Sequence, residues 1–201
     1  MKYFANTYFE NLYWKNGIEF VAGIDEAGRG PLAGPVVAAA VIFPKNYDME
    51  KLQDSKKLSQ KSREMFYEKI YEAALSIGIG IIDHTKIDEI NILEATKLAM
   101  KTAVSKLKIY PQQLLVDGNF FEHEKIPVKN IIQGDKNAQS IAAASIIAKV
   151  TRDSLMLEYD ADFPQYGFAK HKGYGTKIHV EAIHKFGHSR IHRKTFHVPG
   201  L

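Results

Sequence analysis

The 201-residue chain carries 27 lysines and arginines against 23 acidic residues, so its formal net charge is +4, and it contains no cysteine. The lack of cysteine excludes disulfides and thiolate metal sites and is consistent with a reducing cytoplasm, where we expect the protein to act. No apolar stretch approaches the roughly 20 residues that span a bilayer, and residues 1–6 lack the apolar region of a signal peptide.

The apolar pattern predicts short strands that alternate with longer helices. Residues 20–24 and 36–43 read as an antiparallel pair of strands, joined by a turn rich in Gly and Pro over residues 26–35. A helix, a strand that alternates Ile with Gly, a long helix, two short strands and two further helices follow over residues 59–75, 77–82, 87–107, 114–116, 128–132, 140–159 and 176–186. This order predicts an α/β fold with a central five-stranded mixed sheet flanked by helices.

Basic residues are concentrated near the C-terminus. Residues 161–201 contain seven lysines and arginines, only two acidic residues, and six of the eight histidines. Such a local excess of positive charge indicates either a polyanionic partner or a solvated tail. We expect one domain over residues 1–201, with a core over about 18–160 and a C-terminal helical extension over about 161–201.

Four acidic residues stand where a predicted strand or loop ends. Asp25 and Glu26 follow the first strand, Asp117 follows the fourth, and Asp135 follows the fifth. Each has an ordinary structural explanation, because Asp favours turns and helix N-termini. The ends of adjacent strands would nevertheless bring the four together, and clustered carboxylates repel one another unless they share cations. A phosphodiester hydrolase that uses two divalent ions needs such a cluster, so we predict metal dependence.

The turn after the first strand is glycine-rich, with Gly28, Arg29 and Gly30 at its start and Pro31 inside it. The spacing, and the strand that follows, exclude a dinucleotide fingerprint, and the Gly-Lys-Ser/Thr of a P-loop is missing. Glycines let backbone N–H groups approach sugar or phosphate oxygens closely, and an arginine can add a phosphate contact. A tight turn with a solvated arginine is the alternative.

These motifs and several others together resemble those of type 2 ribonuclease H, ribonuclease HII. The resemblance is carried by residues 23–37, 54–59, 116–118, 134–135 with 140–153, 166–168 with 171–176, and 192–196. The motifs run in the family's order from about residue 20 to residue 197. Because only about twenty residues precede the first motif, we expect type HII rather than type HIII, which carries an extra N-terminal domain.

The resemblance implies a ribonuclease H-like fold and endonucleolytic cleavage of the RNA strand of RNA–DNA hybrids. It also implies incision at single ribonucleotides embedded in duplex DNA, with Mg²⁺ or Mn²⁺. We expect in-line attack of water on the phosphorus 5′ to the ribonucleotide, leaving a 3′-hydroxyl and a 5′-phosphate. The family's functional residues correspond to the acids Asp25, Glu26, Asp117 and Asp135, to the Gly-Arg-Gly element Gly28, Arg29 and Gly30, and to the junction-sensing Tyr174.

Further contacts with the substrate are expected from basic side chains. Lys56, Lys149, Lys172 and the basic C-terminal segment are candidates for phosphate contacts, although exposed lysines are commonly just solvated. Tyr174 is expected to stack on the sugar or orient the junction; a partly buried aromatic with a satisfied hydroxyl is the alternative. The expected partners are RNA–DNA hybrids and duplex DNA that contains ribonucleotides, and we expect a monomer.

Other interpretations of the same residues remain. His184, His188 and His192 recur at a four-residue spacing, but zinc would need further ligands, so a helix-face or phosphate-contact role is favoured. Another nuclease or integrase of the same broad fold would use the acids on a different polynucleotide. A hybrid-binding module without catalysis is disfavoured, because binding a polyanion does not require a cluster of negative charge.

Overall fold

The computed structural model describes residues 5–50, 52, 55 and 58–200. Five strands form one mixed sheet: β1 Val21–Ala27, β2 Val36–Ile42, β3 Ser76–Ile82, β4 Gln113–Asp117 and β5 Val128–Ile131. The strands lie in the order β3-β2-β1-β4-β5. β1 pairs with β2, and β2 with β3, in antiparallel fashion, whereas β1 with β4 and β4 with β5 are parallel. The predicted five-stranded mixed sheet and its antiparallel first pair are confirmed.

Helices cover both faces of this sheet. In the described part of the chain they are α1 Tyr8–Trp14, α2 Gln60–Ala73, α3 His84–Ser105, α4 Gly134–Asn137, α5 Gln139–Asp162, α6 Phe168–His171 and α7 Lys177–Phe186, with a 3₁₀ turn at Pro164–Tyr166. Helix α1 was not predicted, because it buries only Glu10 and Trp14 and so shows little apolar periodicity.

Helix α3 differs from the single helix predicted over residues 87–107. It begins after Asp83, whose side chain caps it, and Asn91 interrupts it with a φ of 66°. The Asn91 Oδ1 atom accepts hydrogen bonds from the N–H groups of Leu93 (2.9 Å) and Glu94 (3.1 Å). The asparagine therefore ends one helical segment and caps the next, since its side chain competes with the helical backbone.

Strand β1 is longer than the predicted 20–24, because it continues through Asp25 and Glu26. Its antiparallel pairing with β2 includes both acids, whereas its parallel pairing with β4 ends at Ile24 opposite Val116. The expectation that the acids lie beyond the strand is therefore wrong on the β2 side. It holds on the β4 side, where the ladder ends just before them.

The side chains of β2 alternate between two buried cores, as pleating requires. One core contains Ala38, Ala40 and Ile42 with residues of α3, and the other contains Val37, Ala39 and Val41 with residues of α2 and α5. The glycines predicted to allow close backbone packing do so: a Cβ on Gly78 or Gly80 would lie 2.0 Å from the carbonyl oxygen of Ala103 or Ala99.

A third apolar cluster joins the C-terminal elements to the glycine-rich turn. It consists of Leu32, Ala33, Met156, Tyr166, Phe168, Ala182, Ile183, Ile191 and Val198. The division into a core and a C-terminal extension stays a prediction. Among the described residues, no helix is both long enough and apolar enough to cross a membrane.

Candidate active site

Asp25 lies on β1 with its side chain buried, at 5% exposure. Its Oδ1 accepts a hydrogen bond of 2.7 Å from the N–H of Glu26, and the Ser145 side chain on α5 also hydrogen-bonds it. Burial raises the pKa of Asp25 well above its usual range, and the negative charges of Glu26 and then Asp117 raise it further. Three carboxylates from β1 and β4 therefore act on one another at a single place in the sheet.

The fold also brings Asp117 and Asp135 to this end of the sheet. Asp117 is the last residue of β4, one position beyond the pairing of Val116 with Ile24. Its Oδ1 accepts a hydrogen bond of 2.7 Å from the N–H of Gly134, and the adjacent Asp135 is buried in the first turn of α4. Asp135 thus follows the residue that holds Asp117 in place.

Glu26 connects the acids to an open groove. Its carboxylate forms an ion pair of 3.3 Å with Arg29, whose guanidinium also lies 4.8 Å from the centre of the Phe120 ring. The groove, called here the Tyr174 groove, has a volume of about 290 Å³. It is lined by Glu26, Ala27, Gly28, Arg29, Gly30, Ser55, Ser145, Lys149 and Tyr174. Five of the predicted substrate-binding residues therefore meet beside one of the acids.

The chemistry of these side chains suits a divalent cation. All four acids offer only oxygen ligands, which Mg²⁺ and related hard cations prefer. Burial first, and then the neighbouring negative charges, raise the pKa of Asp25, and a cation would offset those charges. Within the described ranges, however, no three His, Cys, Asp or Glu side chains are arranged so that they could hold a metal ion. Three of the four predicted acids thus interact electrostatically, and Asp135 follows the residue that holds Asp117.

The comparison with known proteins decides the family. A family model described as Ribonuclease HII matches residues 22–198. The chain belongs to the ribonuclease HII family. Ribonuclease HII of Acholeplasma laidlawii is 56% identical over 191 residues, which cover 95% of this chain and 94% of that protein. Ribonuclease HII of Geobacter metallireducens is 55% identical over 188 residues, which cover 94% of this chain and 88% of that protein.

Solved structures show the same relationship. The ribonuclease H2 of Pyrococcus horikoshii OT3 matches with a TM-score of 0.75 and 27% identity, covering 89% of this chain and 94% of that one. Ribonuclease HII of Archaeoglobus fulgidus, solved as a complex with PCNA, matches with a TM-score of 0.74 and 27% identity, covering 89% and 95%. The predicted family and ribonuclease H-like fold are confirmed, and the protein is a hydrolytic endoribonuclease for RNA in RNA–DNA hybrids.

The three lysines predicted to contact phosphate lie in different places. In this ribonuclease HII, Lys149 lines the Tyr174 groove, 5.9 Å from the tyrosine ring centre, and forms an ion pair of 2.8 Å with Asp153. Lys172 does not reach that groove: it lines a neighbouring one with Arg63, and its ammonium donates to the carbonyl of Ala169. Lys56 lies outside the described residues.

Sequence reasoning did not single out two serines beside the acids. The Oγ atoms of Ser55 and Ser145 lie 2.8 Å apart, and both residues line the Tyr174 groove. Ser145 is an isolated hydroxyl in an apolar helical run of α5, which was a usable signal, because a buried hydroxyl needs a hydrogen-bond partner. Its partners are Ser55 and Asp25.

Of the three histidines for which a helix-face or phosphate-contact role was favoured over zinc, two form hydrogen bonds. His184 contacts the carbonyl oxygen of Pro199 at 3.0 Å, whereas His192 lies 3.0 Å from His179 through their Nε2 atoms. His188 packs against the ring of His192 with 5.3 Å between centroids. Two of the three therefore lie against each other, whereas His184 bonds the C-terminal segment.

Proposed function

We propose that this ribonuclease HII incises 5′ to ribonucleotides embedded in duplex DNA, in addition to cleaving the RNA strand of hybrids, and leaves a 3′-hydroxyl and a 5′-phosphate. One observation carries the proposal. Glu26 belongs both to the group of interacting acids and to the lining of the Tyr174 groove. A sugar held in that groove would lie next to the acids, so recognition and hydrolysis would share one site.

Two divalent ions, Mg²⁺ or Mn²⁺, are the proposed cofactors. Asp25, Glu26, Asp117 and Asp135 would hold them, and their oxygen-only chemistry supports this assignment. When bound, such ions polarise the phosphate and lower the pKa of water. Glu26 also positions Arg29 through its ion pair, so one acid orients a candidate phosphate contact.

Substrate specificity is proposed to depend on the ribose 2′-hydroxyl, which distinguishes RNA from DNA. The backbone groups of Gly28, Arg29 and Gly30 line the groove and would hydrogen-bond that hydroxyl, while the ring of Tyr174 would stack on the sugar. Lys149, at the same groove, would contact a phosphate. Lys172 would contact a more distant phosphate, since it lines the neighbouring groove.

A cleavage assay tests this proposal directly. Two DNA duplexes of the same sequence, one with a single ribonucleotide and one without, are incubated with the enzyme in Mg²⁺, in Mn²⁺ or in EDTA. We expect incision only of the first duplex, 5′ to the ribonucleotide, only with a divalent cation, and with ligatable 3′-hydroxyl ends. Equal cleavage of both duplexes, or cleavage in EDTA, would overturn the proposal.

The oligomeric state and the cellular location are further proposals. A monomer is proposed, and light scattering on the purified protein would reveal a dimer if this is wrong. A cytoplasmic location stays a prediction from composition.

A further inference from the structure

Two arginines are completely buried beneath the glycine-rich turn: Arg152 on α5 has 0% exposure and Arg193 has 1%. Together they donate seven hydrogen bonds, all to backbone carbonyl oxygens. The acceptors of Arg152 are Pro35 (2.9 Å), Lys172 (3.0 Å) and Ala33 (3.1 Å), and those of Arg193 are Gly28 (2.6 Å), Arg29 (2.9 Å), Gly34 (3.0 Å) and Pro35 (3.2 Å). Six of these bonds hold the segment 28–35.

These two side chains are costly to bury. Neither forms an ion pair with a carboxylate among the described residues, and burial of an unpaired charge is strongly unfavourable. Burial lowers the pKa of both guanidinium groups, and for Arg193 the neighbouring charge of Arg152 adds to this effect, which brings its pKa to about 9. Backbone carbonyl dipoles, most of them from the turn, offset that cost, together with the rings of Phe196 (4.9 Å from Arg193) and Tyr174 (5.9 Å from Arg152). The turn and the arginines therefore depend on each other.

The backbone of the C-terminal segment fixes the position of Arg193. Its N–H donates to the carbonyl oxygen of Leu32 at 2.8 Å, and the N–H of Gly34 donates to the carbonyl oxygen of Ile191 at 2.9 Å. A Cβ atom on Gly28 would lie 2.1 Å from Nε of Arg152, so that glycine, with a φ of +100°, is required for close packing on the arginine. The two arginines are therefore rigid supports for the turn.

The direction of the carbonyl groups decides the direction of the N–H groups. In a planar trans peptide the C=O and N–H bonds point in opposite directions. Because the carbonyls of Gly28 and Arg29 point to Arg193, the N–H groups of Arg29 and Gly30 point away from it. Among the described residues, no group accepts a hydrogen bond from either of these N–H groups.

The open space next to Gly30 is on the side of the Tyr174 groove. An added Cβ there would meet only the ring of Tyr174, at 3.9 Å, whereas a Cβ on Gly28 would clash with Arg152. The two positions thus favour glycine for different reasons. The backbone at Gly28 packs on Arg152, whereas the missing side chain at Gly30 leaves room for a ligand.

We propose that Arg193, with Arg152, is a positioning residue that turns the N–H groups of Arg29 and Gly30 into the Tyr174 groove as donors for the ribose 2′-hydroxyl. This inference rests on the proposed function of that groove. It assigns the discrimination between ribose and deoxyribose to buried arginines that touch no substrate. A lysine cannot replace Arg193, because a single ammonium cannot span the carbonyls that a planar guanidinium holds in a fixed fork.

The test is the ratio of two dissociation constants, measured by fluorescence anisotropy in EDTA so that the duplexes stay intact. One duplex is all DNA and the other has a single ribonucleotide in the same sequence. We expect Arg193→Lys to lower the wild-type preference for the ribonucleotide about tenfold, the effect of losing one to two net hydrogen bonds. The control is Lys101→Arg, the reverse exchange at an exposed lysine paired with Glu124 and far from the C-terminal segment in sequence, which should retain the wild-type ratio.

The ratio separates positioning from a merely structural role, because inactive protein raises both apparent dissociation constants equally. A wild-type ratio in Arg193→Lys, or an equal loss of affinity for both duplexes, would overturn the inference. If Arg193→Lys does not yield soluble protein, Arg152→Lys is measured in the same way with the same expected fall. No preference for the ribonucleotide in the wild type would instead contradict the proposed function itself.

Discussion

The buried carboxyl of Asp25 is a candidate site residue that lowers the stability of the native protein. Its carboxyl sits at 5% exposure next to the charges of Glu26 and Asp117, and its pKa is raised well above the usual range. A carboxyl whose pKa is raised on folding stabilises the native state less as pH rises through the folded pKa. The carboxylate of Asp25 therefore opposes the stability of the fold at neutral pH.

Replacing Asp25 by Asn should abolish cleavage and, without divalent cations, raise the free energy of unfolding at pH 7. The amide oxygen of the asparagine can still accept the hydrogen bond from the backbone N–H of Glu26, whereas the buried charge is removed. Urea unfolding in EDTA and the single-ribonucleotide assay measure the two effects. Asp162→Asn, at an exposed position, is the control and should change stability little. Retained cleavage by a folded Asp25→Asn variant would reject the catalytic role.

Tyr174 presents the opposite case, because its side chain is 43% exposed in the groove and contributes little to the core. Tyr174→Ala should lower the rate of incision at a single ribonucleotide by roughly tenfold or more, the worth of one stacking contact, while the melting temperature changes little. Tyr174→Phe should retain most of the stacking contribution. Tyr110→Ala, at a tyrosine that is 65% exposed, serves as the control. Full activity in Tyr174→Ala would remove the ring from the site.

Two close contacts between elements hold the helices in place. A residue distant in sequence caps the first turn of α5. Oε1 of Glu10 on α1 accepts hydrogen bonds from the N–H (2.8 Å) and the Oγ hydroxyl (2.6 Å) of Ser140. The N-cap residue itself, Ala138, has no side chain that could do so. On the other face of the sheet, β3 packs on α3 through Gly80. The unpredicted helix α1 therefore helps to hold the long helix that carries Ser145.

Gly80→Ala should destabilise the protein by about 1–3 kcal/mol, because the added Cβ would lie 2.0 Å from the carbonyl oxygen of Ala99 and the backbone of α3 must move. The paired variant is Gly30→Ala, whose Cβ would meet only the ring of Tyr174 at 3.9 Å. Urea unfolding should show a loss of stability for the first and little change for the second. An equal effect of both substitutions would show that close packing of β3 on α3 is not the cause.

Across the full fold, a chain of imidazoles connects the C-terminal segment to the groove. The N–H of Ser189 donates to Nδ1 of His192 at 2.8 Å, so the proton of His192 lies on Nε2, which faces Nε2 of His179 at 3.0 Å. Nδ1 of His179 then donates to the carbonyl oxygen of Tyr174 at 2.9 Å. This arrangement requires both imidazoles to be neutral.

Stability should therefore fall as pH is lowered from about 6.5 towards 4. Burial lowers the pKa of His179 to about 4 and that of His192 to about 3, with the nearby histidines adding to the effect. In this window the unfolded chain binds protons that the native protein does not, so protonation favours unfolding. Urea unfolding at pH 7.5, 6.0 and 5.0 measures the loss, which should be smaller in His192→Gln. The same substitution at the exposed His197 is the control; identical pH dependence in all three proteins would contradict this explanation.

Much of this protein follows from its sequence, because local patterns report local structure. Apolar runs bounded by turn residues predicted all five strands, and the spacing of motifs identified the family before any contact was visible. The four acids were named from their positions at strand ends, and the Gly-Arg-Gly element and Tyr174 from the family's motifs.

The tertiary structure alone decided which of these residues meet. The extension of β1 through Asp25 depends on its pairing with β2, the separation of Lys172 from the Tyr174 groove depends on how α5 and α6 pack, and the support of Gly28 by Arg193 joins residues 165 positions apart. A buried arginine cannot be distinguished from an exposed one by local composition. Its acceptors are carbonyl groups, which every residue has, so only the path of the folded chain determines which of them it holds.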